Sequence, residues 1–177
     1  MPKTMRVFAE PGCVPESIDR ALSDCCERRR FKRPQSVLVL VYTAGGRVLL
    51  LRRTCPPGFW QSVTGSLGWG ESGQRAARRE LFEETGLHAG RALEDWRRGA
   101  RFPIVGPWRA RYAPGTRFNR ECWFSLRLPR QRKIRLNPRE HSEYRWLSRP
   151  QALRRASSWS NRQAIRLLGR RLVERRR

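Results

Sequence analysis

A short predicted helix near the middle of this chain carries a cluster of carboxylates. Ser72 is a favourable N-cap and Gly86 a favourable residue just beyond a C-terminus, so the segment between them predicts a helix. Glu80, Glu83 and Glu84 stand at positions i, i+3 and i+4, which places them on one helix face. Like charges at this spacing repel one another, whereas clustered oxygen ligands suit Mg²⁺ or Mn²⁺. The helix therefore indicates either an acidic solvated face or a cation site that handles phosphate.

The chain as a whole is strongly basic, with a formal net charge of +24 over 177 residues. Only three of its 39 basic residues are lysines, which leaves 39 − 3 = 36 arginines. One interpretation is a nucleic-acid-binding protein, because arginine pairs with phosphate through two parallel hydrogen bonds. The interpretation we favour is compositional drift, because the arginines are spread along the chain and form no single basic segment. In both cases the surface attracts anionic ligands.

Length and apolar content favour a single domain with one core, since 38% of the residues are hydrophobic. The longest apolar run, residues 37–42, is far shorter than the ~20 residues of a membrane span. The first thirty residues contain five acids and no apolar stretch of the secretory type. Five cysteines without a C-x-x-C pair fit neither a disulfide scaffold nor a zinc ribbon. These features predict a soluble, cytoplasmic protein with no membrane partner.

Strand-like and helix-like segments alternate along the chain, which predicts an α/β fold. Strands are expected at residues 36–42 and 47–53, joined as a hairpin, and at residues 59–64, 122–128 and 144–147. Helices are expected from Arg149 and from Asn161, whereas residues 87–118 give no clear pattern. We predict a flexible N-terminal extension over residues 1–31, one folded domain over residues 32–165 and a basic helix end or tail over residues 166–177.

Nine positions around the acidic helix follow the spacing G-x5-E-x7-R-E-U-x-E-E-x-G-U, where U is aliphatic. They are Gly65, Glu71, Arg79, Glu80, Leu81, Glu83, Glu84, Gly86 and Leu87. This spacing is the Nudix box, so the chain resembles the Nudix hydrolase superfamily. The resemblance implies an α/β/α sandwich with a mixed β-sheet and a loop–helix–loop box. It also implies metal-dependent hydrolysis of a nucleoside diphosphate linked to another group.

Strings outside the box narrow the resemblance. The most discriminating are F-W-Q-S-V-T-G at residues 59–65 and S-W-S-N-R-Q-A at residues 158–164. Shorter strings follow in the same order at residues 32–34, 51–53, 111–115, 140–141 and 144–147. Together they are similar to the dihydroneopterin triphosphate diphosphatases of bacterial folate synthesis over about residues 32–165. That similarity implies hydrolysis of 7,8-dihydroneopterin 3′-triphosphate to dihydroneopterin phosphate and pyrophosphate.

The resemblance also implies roles for individual residues. The metal ligands would be Glu80, Glu84 and Glu140, with Mg²⁺ as the cation and Mn²⁺ as an alternative. The catalytic group would be Arg79, Glu80 and Glu83, with the choice of general base left open. The substrate-binding residues would be Lys32, Arg53, Thr64 and Ser158, because cationic side chains neutralise phosphate and hydroxyls bond phosphate or a ring edge. Trp60 and Trp159 are either stacking residues or core residues, and His141 is either an acid–base group or a hydrogen-bonding loop residue.

Two other functions stay open at this point. Within the superfamily, the box is equally compatible with a housecleaning hydrolase of nucleoside triphosphates or with an RNA 5′-pyrophosphohydrolase. Outside enzymes, a basic nucleic-acid-binding protein could use a Nudix fold as a scaffold, and it would bind in a strongly salt-dependent way without turnover. The complete carboxylate set favours an enzyme, with a small-molecule triphosphate as the partner.

Overall fold

The computed structural model of the protein describes residues 7–9 and 31–174. The strands are β1 (Val7–Ala9), β2 (Gln35–Thr43), β3 (Arg47–Arg53), β4 (Trp60–Gln61), β5 (Val63–Ser66), β6 (Leu93–Pro103), β7 (Phe118–Leu128) and β8 (His141–Ser148). The α-helices are α1 (Gly73–Thr85), α2 (Arg149–Arg155) and α3 (Trp159–Glu174), and short 3₁₀ turns cover Gly90–Ala92 and Gly106–Arg111.

The strands form one mixed sheet. Its main path runs β1-β6-β7-β2-β3-β4, with β5 paired to β2 and β8 paired to β3. The pairing of β2 with β7 is parallel and the other pairings are antiparallel. The parallel pair is the longest in register, from Gln35 opposite Arg120 to Thr43 opposite Leu128. Strand β2 therefore lies at the centre of the sheet.

The continuous apolar run on β2 follows from burial on both faces of the sheet. Val37, Val39 and Val41 pack with α1, while Leu38 and Leu40 pack with α2 and α3. All five side chains are buried. One helix on one face and two on the other make an α/β/α sandwich, so the predicted fold class is confirmed.

Several predicted elements have the expected position. The hairpin of β2 and β3 is present, and its turn is closed by the Gly46 amide, which donates to the Thr43 carbonyl oxygen at 2.9 Å. Helix α1 begins after Ser72, whose hydroxyl accepts from the Arg75 amide, and ends at Gly86 with a φ of 70°. Only glycine adopts such a φ readily. Both caps were predicted from the sequence.

Strand β6 was not predicted. It occupies the middle of the segment 87–118, whose apolar residues follow neither the strand nor the helix period clearly. Its register against β7 shifts between Asp95 and Gly99, and Arg97 has a φ of 49°. This irregularity breaks the two-residue alternation that a sequence pattern depends on.

The structure describes a small part of the predicted N-terminal extension and most of the predicted C-terminal helix end. Within the predicted extension, β1 pairs antiparallel with β6, with Phe8 opposite Gly99. Residues 1–6 and 10–30 lie outside the described part of the chain, and so do residues 175–177 of the predicted tail. Helix α3 crosses residue 165 without interruption and reaches Glu174. Residues 166–174 thus continue a helix of the sandwich.

Two further observations bear on the sequence analysis. Cys122 on β7 is disulfide-bonded, a pairing that the odd cysteine count did not lead us to expect. Cys55 is free and exposed. In residues 7–9 and 31–174, no helix has both the length and the apolar content to cross a membrane.

Candidate active site

The carboxylates of α1 divide into buried and exposed groups. Glu80 and Glu84 are one helical turn apart and both are buried, at 9% and 1% exposure. Glu83 projects from the exposed side of the same helix. Burial raises the pKa of Glu80 to about 7 and the pKa of Glu84 well above its ordinary value. Hence α1 presents two carboxyl groups with high proton affinity beside one solvated carboxylate.

Arg79 connects the acidic residues of the box. Its Nε and Nη2 donate to the two oxygens of Glu71, both at 2.9 Å, in the bidentate geometry typical of strong ion pairs. Its Nη1 donates to Glu80 Oε1 at 2.7 Å and to Glu83 Oε2 at 3.1 Å, and its Nη2 also donates to the Ser66 carbonyl oxygen. These hydrogen bonds hold the pKa of Glu71 below its usual range. Arg79 therefore fixes the loop before α1 and the orientation of Glu80.

Gly65 is required by close packing rather than by backbone conformation. A Cβ at this position would lie 1.8 Å from the carboxyl carbon of Glu80. Since no carbon can approach another that closely without a covalent bond, any side chain at Gly65 would displace the Glu80 carboxylate. The first glycine of the box thus makes room for one of its glutamates.

A second group of ligand atoms lies where α1 meets the start of β8. One ligand atom each from Glu84, Glu140 and His141 lies within 4.8 Å of the others. His141 Nε2 is 3.2 Å from Glu84 Oε2. Even so, both oxygens of Glu84 and both ring nitrogens of His141 have no hydrogen-bond partner among the described residues. Burial lowers the pKa of His141 to about 4, so its ring is neutral near pH 7.

These unpartnered buried atoms fit a cation. A buried polar atom without a partner is costly, and a cation would offset that cost for several atoms at once. Of the three predicted ligands, Glu84 and Glu140 are in this cluster, while Glu80 Oε1 accepts from Arg79. His141 is an addition that the sequence analysis did not assign as a ligand. The available signal was its position next to Glu140.

A cavity of about 760 Å³ opens beside these carboxylates. Its volume lies in the range of small-molecule sites. All four predicted substrate-binding residues line it: Lys32, Arg53, Thr64 and Ser158. Glu80, Glu83 and Glu140 line it as well, so the cationic and acidic side chains share one cavity. Burial and the nearby Arg111 lower the pKa of Lys32.

Other lining residues were missed by the sequence analysis. Asn119 and Glu121 on β7 are buried and line the cavity, together with the aromatic residues Phe102 and Trp108. Trp159, for which the sequence left stacking and core packing open, lines the cavity as well. The Trp159 ring meets Phe102 edge to face, with centroids 6.4 Å apart. Trp60, by contrast, is buried in the core and is not among the cavity residues. The segment that carries Phe102 and Trp108 is the one where sequence periodicity failed.

Ser158 has a structural role besides facing the cavity. Its hydroxyl accepts from the Asn161 backbone amide at 3.1 Å, which caps α3, and from Asn161 Nδ2 at 2.8 Å. Asn161 Oδ1 in turn accepts from the Ser62 amide. The two discriminating strings of the sequence, at residues 59–65 and 158–164, are therefore joined by hydrogen bonds.

Comparison with known proteins agrees with this geometry. The NUDIX domain family model matches residues 32–168. The dihydroneopterin triphosphate diphosphatase of Escherichia coli K12 is 46% identical over 139 residues, which cover 76% of this chain and 91% of that protein. The Haemophilus influenzae protein of the same name is 36% identical over 140 residues, covering 77% and 87%. The solved structure of the E. coli dihydroneopterin triphosphate pyrophosphohydrolase superposes with a TM-score of 0.70, covering 76% of this chain and 94% of that one. On this match in sequence, fold and box, the chain belongs to the NUDIX domain family.

Proposed function

We propose that this protein hydrolyses 7,8-dihydroneopterin 3′-triphosphate to dihydroneopterin phosphate and pyrophosphate. The observation that carries the proposal is the 46% identity to the E. coli enzyme of that name, which extends over 91% of its length. The cavity supports it, because acidic and cationic side chains line the same space as several aromatic rings. Such a combination suits a ligand with a triphosphate at one end and a flat heterocycle at the other.

In this proposal the residues at the acidic side of the cavity bind the cation and handle the proton. Glu84, Glu140 and His141 would hold a divalent cation, with Glu80 beside them, and Mg²⁺ is the expected ion with Mn²⁺ as a substitute. When bound, such a cation offsets phosphate charge and makes water more acidic. Glu80 and Glu83 line the cavity and are the carboxylates that can take a proton from the attacking water.

The remaining residues bind and orient the substrate. Lys32 and Arg53 supply positive charge for the phosphates, and Thr64 supplies a hydroxyl. Arg53 is held in place because its Nε donates to the Cys55 carbonyl oxygen at 2.8 Å. Water attacks one phosphorus of the triphosphate, the anhydride P–O bond breaks, and pyrophosphate leaves. Because dihydroneopterin triphosphate is a folate precursor, we also propose a cytoplasmic role in folate synthesis.

One assay tests the proposal against its rivals. Pyrophosphate release is measured with Mg²⁺ from dihydroneopterin triphosphate, dATP and a 5′-triphosphate RNA at matched concentrations. We expect the highest kcat/KM with the pterin substrate and no turnover after chelation of the metal. A preference for dATP would indicate a housecleaning hydrolase, and a preference for RNA would agree with the net charge of +24. Salt-sensitive RNA binding without any turnover would indicate a nucleic-acid-binding protein.

A further inference from the structure

The polar groups at the β7 side of the cavity have no role in the chemistry described above. Strand β7 alternates its side chains between the two faces of the sheet, and Trp123 packs in the core on the α3 face. Asn119 and Glu121 precede it at two-residue steps and therefore lie on that same face. Ser36, opposite Glu121 in the parallel register, lines the cavity next to them.

The Asn119 side chain is fixed in orientation by one hydrogen bond, and its other polar atom has no partner among the described residues. Its side chain is 4% exposed, and its Nδ2 donates to Ser36 Oγ at 2.7 Å. Its Oδ1 is buried without a hydrogen-bond partner among the described residues. Because a buried carbonyl oxygen without a partner is unfavourable, this atom is available to accept from a ligand in the cavity.

Glu121 is equally buried and is held only by neutral donors. It is 5% exposed, its Oε1 accepts from Trp123 Nε1 at 2.9 Å, and the Ser160 hydroxyl is its other partner. Glu121 forms no ion pair with any of the described residues, although the chain has 39 basic residues. A buried carboxyl group without a counter-charge costs stability, so its presence calls for a ligand that donates to it.

Asn119 Oδ1 and the ionised carboxylate of Glu121 are both acceptors, and this determines what they can recognise. Adjacent ring N–H and exocyclic amino groups form a donor pair on the 2-amino-4-oxopyrimidine edge, which pterins and guanine share. Adenine offers an amino donor beside a ring nitrogen that is itself an acceptor. The rings of Phe102, Trp108 and Trp159 line the same cavity and suit the faces of a flat heterocycle.

We propose that Asn119 and Glu121 are specificity-determining residues that bind the donor edge of a 2-amino-4-oxopyrimidine ring. This inference rests on the proposed function, because it assigns the heterocycle end of the same cavity. Polar groups placed for one pattern of donors reject a ligand that lacks it, and the rejection reaches orders of magnitude. The phosphate end of the cavity, with Lys32 and Arg53, does not discriminate between ring types.

The test separates ring binding from phosphate binding. Binding of neopterin, guanosine and adenosine is measured without metal by fluorescence quenching or calorimetry, for wild type, Glu121→Gln and Asn119→Ala. The matched control is Glu143→Gln, which changes an exposed carboxylate paired with Arg52 and Arg145 outside the cavity. Inorganic tripolyphosphate, tested as a competitive inhibitor with Mg²⁺, reports on the phosphate end. Thermal unfolding confirms that each variant is folded.

We expect the wild type to bind neopterin and guanosine at least 10-fold more tightly than adenosine. Glu121→Gln and Asn119→Ala are each expected to weaken neopterin binding about 10-fold, so that the difference in affinity between neopterin and adenosine becomes smaller. Neither substitution should change the Ki of tripolyphosphate. Glu143→Gln should change none of these quantities. If Glu121→Gln does not fold, Asn119→Ala decides alone. Three results would each overturn the inference. They are unchanged affinity for the ring compounds in the folded variants, equal losses of affinity for the ring compounds and for tripolyphosphate, and no binding of the ring compounds by the wild type. Loss of the proposed function is a different result, namely absence of pyrophosphate release from the pterin triphosphate.

Discussion

At the scale of single residues, the site contains carboxyl groups that reduce stability in the absence of ligand. Among the described residues, Glu84 has no well-aligned hydrogen-bond donor or counter-charge, and the donors to Glu121 are neutral. Burial raises the pKa of both groups. We therefore expect that each carboxyl group serves ligand binding and lowers the free energy of unfolding of the ligand-free protein. Substitution by glutamine tests this expectation, because glutamine has nearly the same volume.

Glu84→Gln is expected to lower kcat/KM by about 100-fold or more, because loss of even an outer-shell partner costs roughly 10- to 100-fold in metal affinity or activity. Glutamine keeps one acceptor oxygen but removes the charge that attracts a hard cation. The ligand-free variant is expected to be as stable as wild type or more so. Mg²⁺-dependent activity and urea unfolding are the measurements, with Glu143→Gln as the control. A near-wild-type rate at saturating Mg²⁺ would exclude Glu84 from the metal site.

Glu121→Gln is expected to change how stability depends on pH. The pKa of Glu121 is about 7 in the folded protein, against 4.5 ordinarily. The folded state therefore retains a proton that the unfolded state loses, and wild-type stability falls as pH rises from about 4.5 to 7. The difference corresponds to roughly 3 kcal/mol at 1.36 kcal/mol per pKa unit. Urea unfolding at pH 5 and pH 8, without ligand, should show similar stabilities at pH 5 and a more stable variant at pH 8. Parallel curves for the two proteins would contradict this.

Gly65→Ala is expected to impair both stability and activity, because its Cβ would occupy the place of the Glu80 carboxylate. Overpacking of this kind costs about 1–3 kcal/mol. Gly45→Ala is the matched control, since the nearest neighbour of its added Cβ is Thr43 Oγ1 at an ordinary 3.8 Å. Thermal unfolding and kcat/KM are compared for both variants. Equal behaviour of the two would mean that Glu80 moves aside without consequence.

At the scale of elements, helix ends connect the fold to the cavity. Ser158 and Ser148 occupy the same position at the starts of α3 and α2, and the Ser148 amide and hydroxyl both bond Gln151 Oε1. Only Ser158 lines the cavity. The pair therefore separates the structural contribution of a cap from a contribution to substrate binding.

Ser158→Ala and Ser148→Ala are each expected to lower the free energy of unfolding by about 1 kcal/mol, the usual cost of a lost N-cap. Only Ser158→Ala should raise KM, and more for the pterin substrate than for dATP, because a hydroxyl in the cavity can bond a ring edge. Urea unfolding and steady-state kinetics on both substrates provide the comparison. If the two variants show equal KM values, Ser158 serves the helix alone.

Elements whose ends carry local sequence signals are the ones that could be predicted from the sequence. Helix α1 was predicted almost to the residue, because Ser72 and Gly86 are local signals that need no tertiary information. Glu84 and Glu140 were matched to a shared motif. His141 was not assigned as a ligand, and Asn119 and the irregular β6 were not assigned at all. Their roles depend on contacts between segments that are distant along the chain.

At the scale of the whole molecule, the N-terminal extension contributes β1 to an outer position of the sheet, next to β6. Among residues 7–9 and 31–174, the first that lines the cavity is Lys32. Close to this point, the Phe31 carbonyl oxygen accepts from Trp69 Nε1 at 3.0 Å. A deletion that preserves Phe31 and Lys32 thus leaves the cavity residues in the chain.

Deletion of residues 1–30 removes β1 and all cysteines except Cys55 and Cys122. We still expect kcat/KM within about twofold of wild type, because β1 pairs over three residues at an outer position of the sheet, where truncation is best tolerated. Steady-state kinetics and circular dichroism on the shortened protein are the measurements. Glu84→Gln is the control for lost activity, because it shows the decrease in kcat/KM that a damaged active site causes in the same assay. Loss of folding in the shortened protein would mean that the domain needs the pairing of β1 with β6.

The two faces of the central strand β2 contribute to different parts of the molecule. Its Val37, Val39 and Val41 support the helix that carries the Nudix box, whereas Ser36 and its partners on β7 border the heterocycle end of the cavity. A mutation on β7 can therefore alter ring preference while the hydrolytic helix and its packing stay as they are. In evolution, such a layout lets a lineage exchange one triphosphate for another by drift on a single strand, and it offers protein engineers the same route.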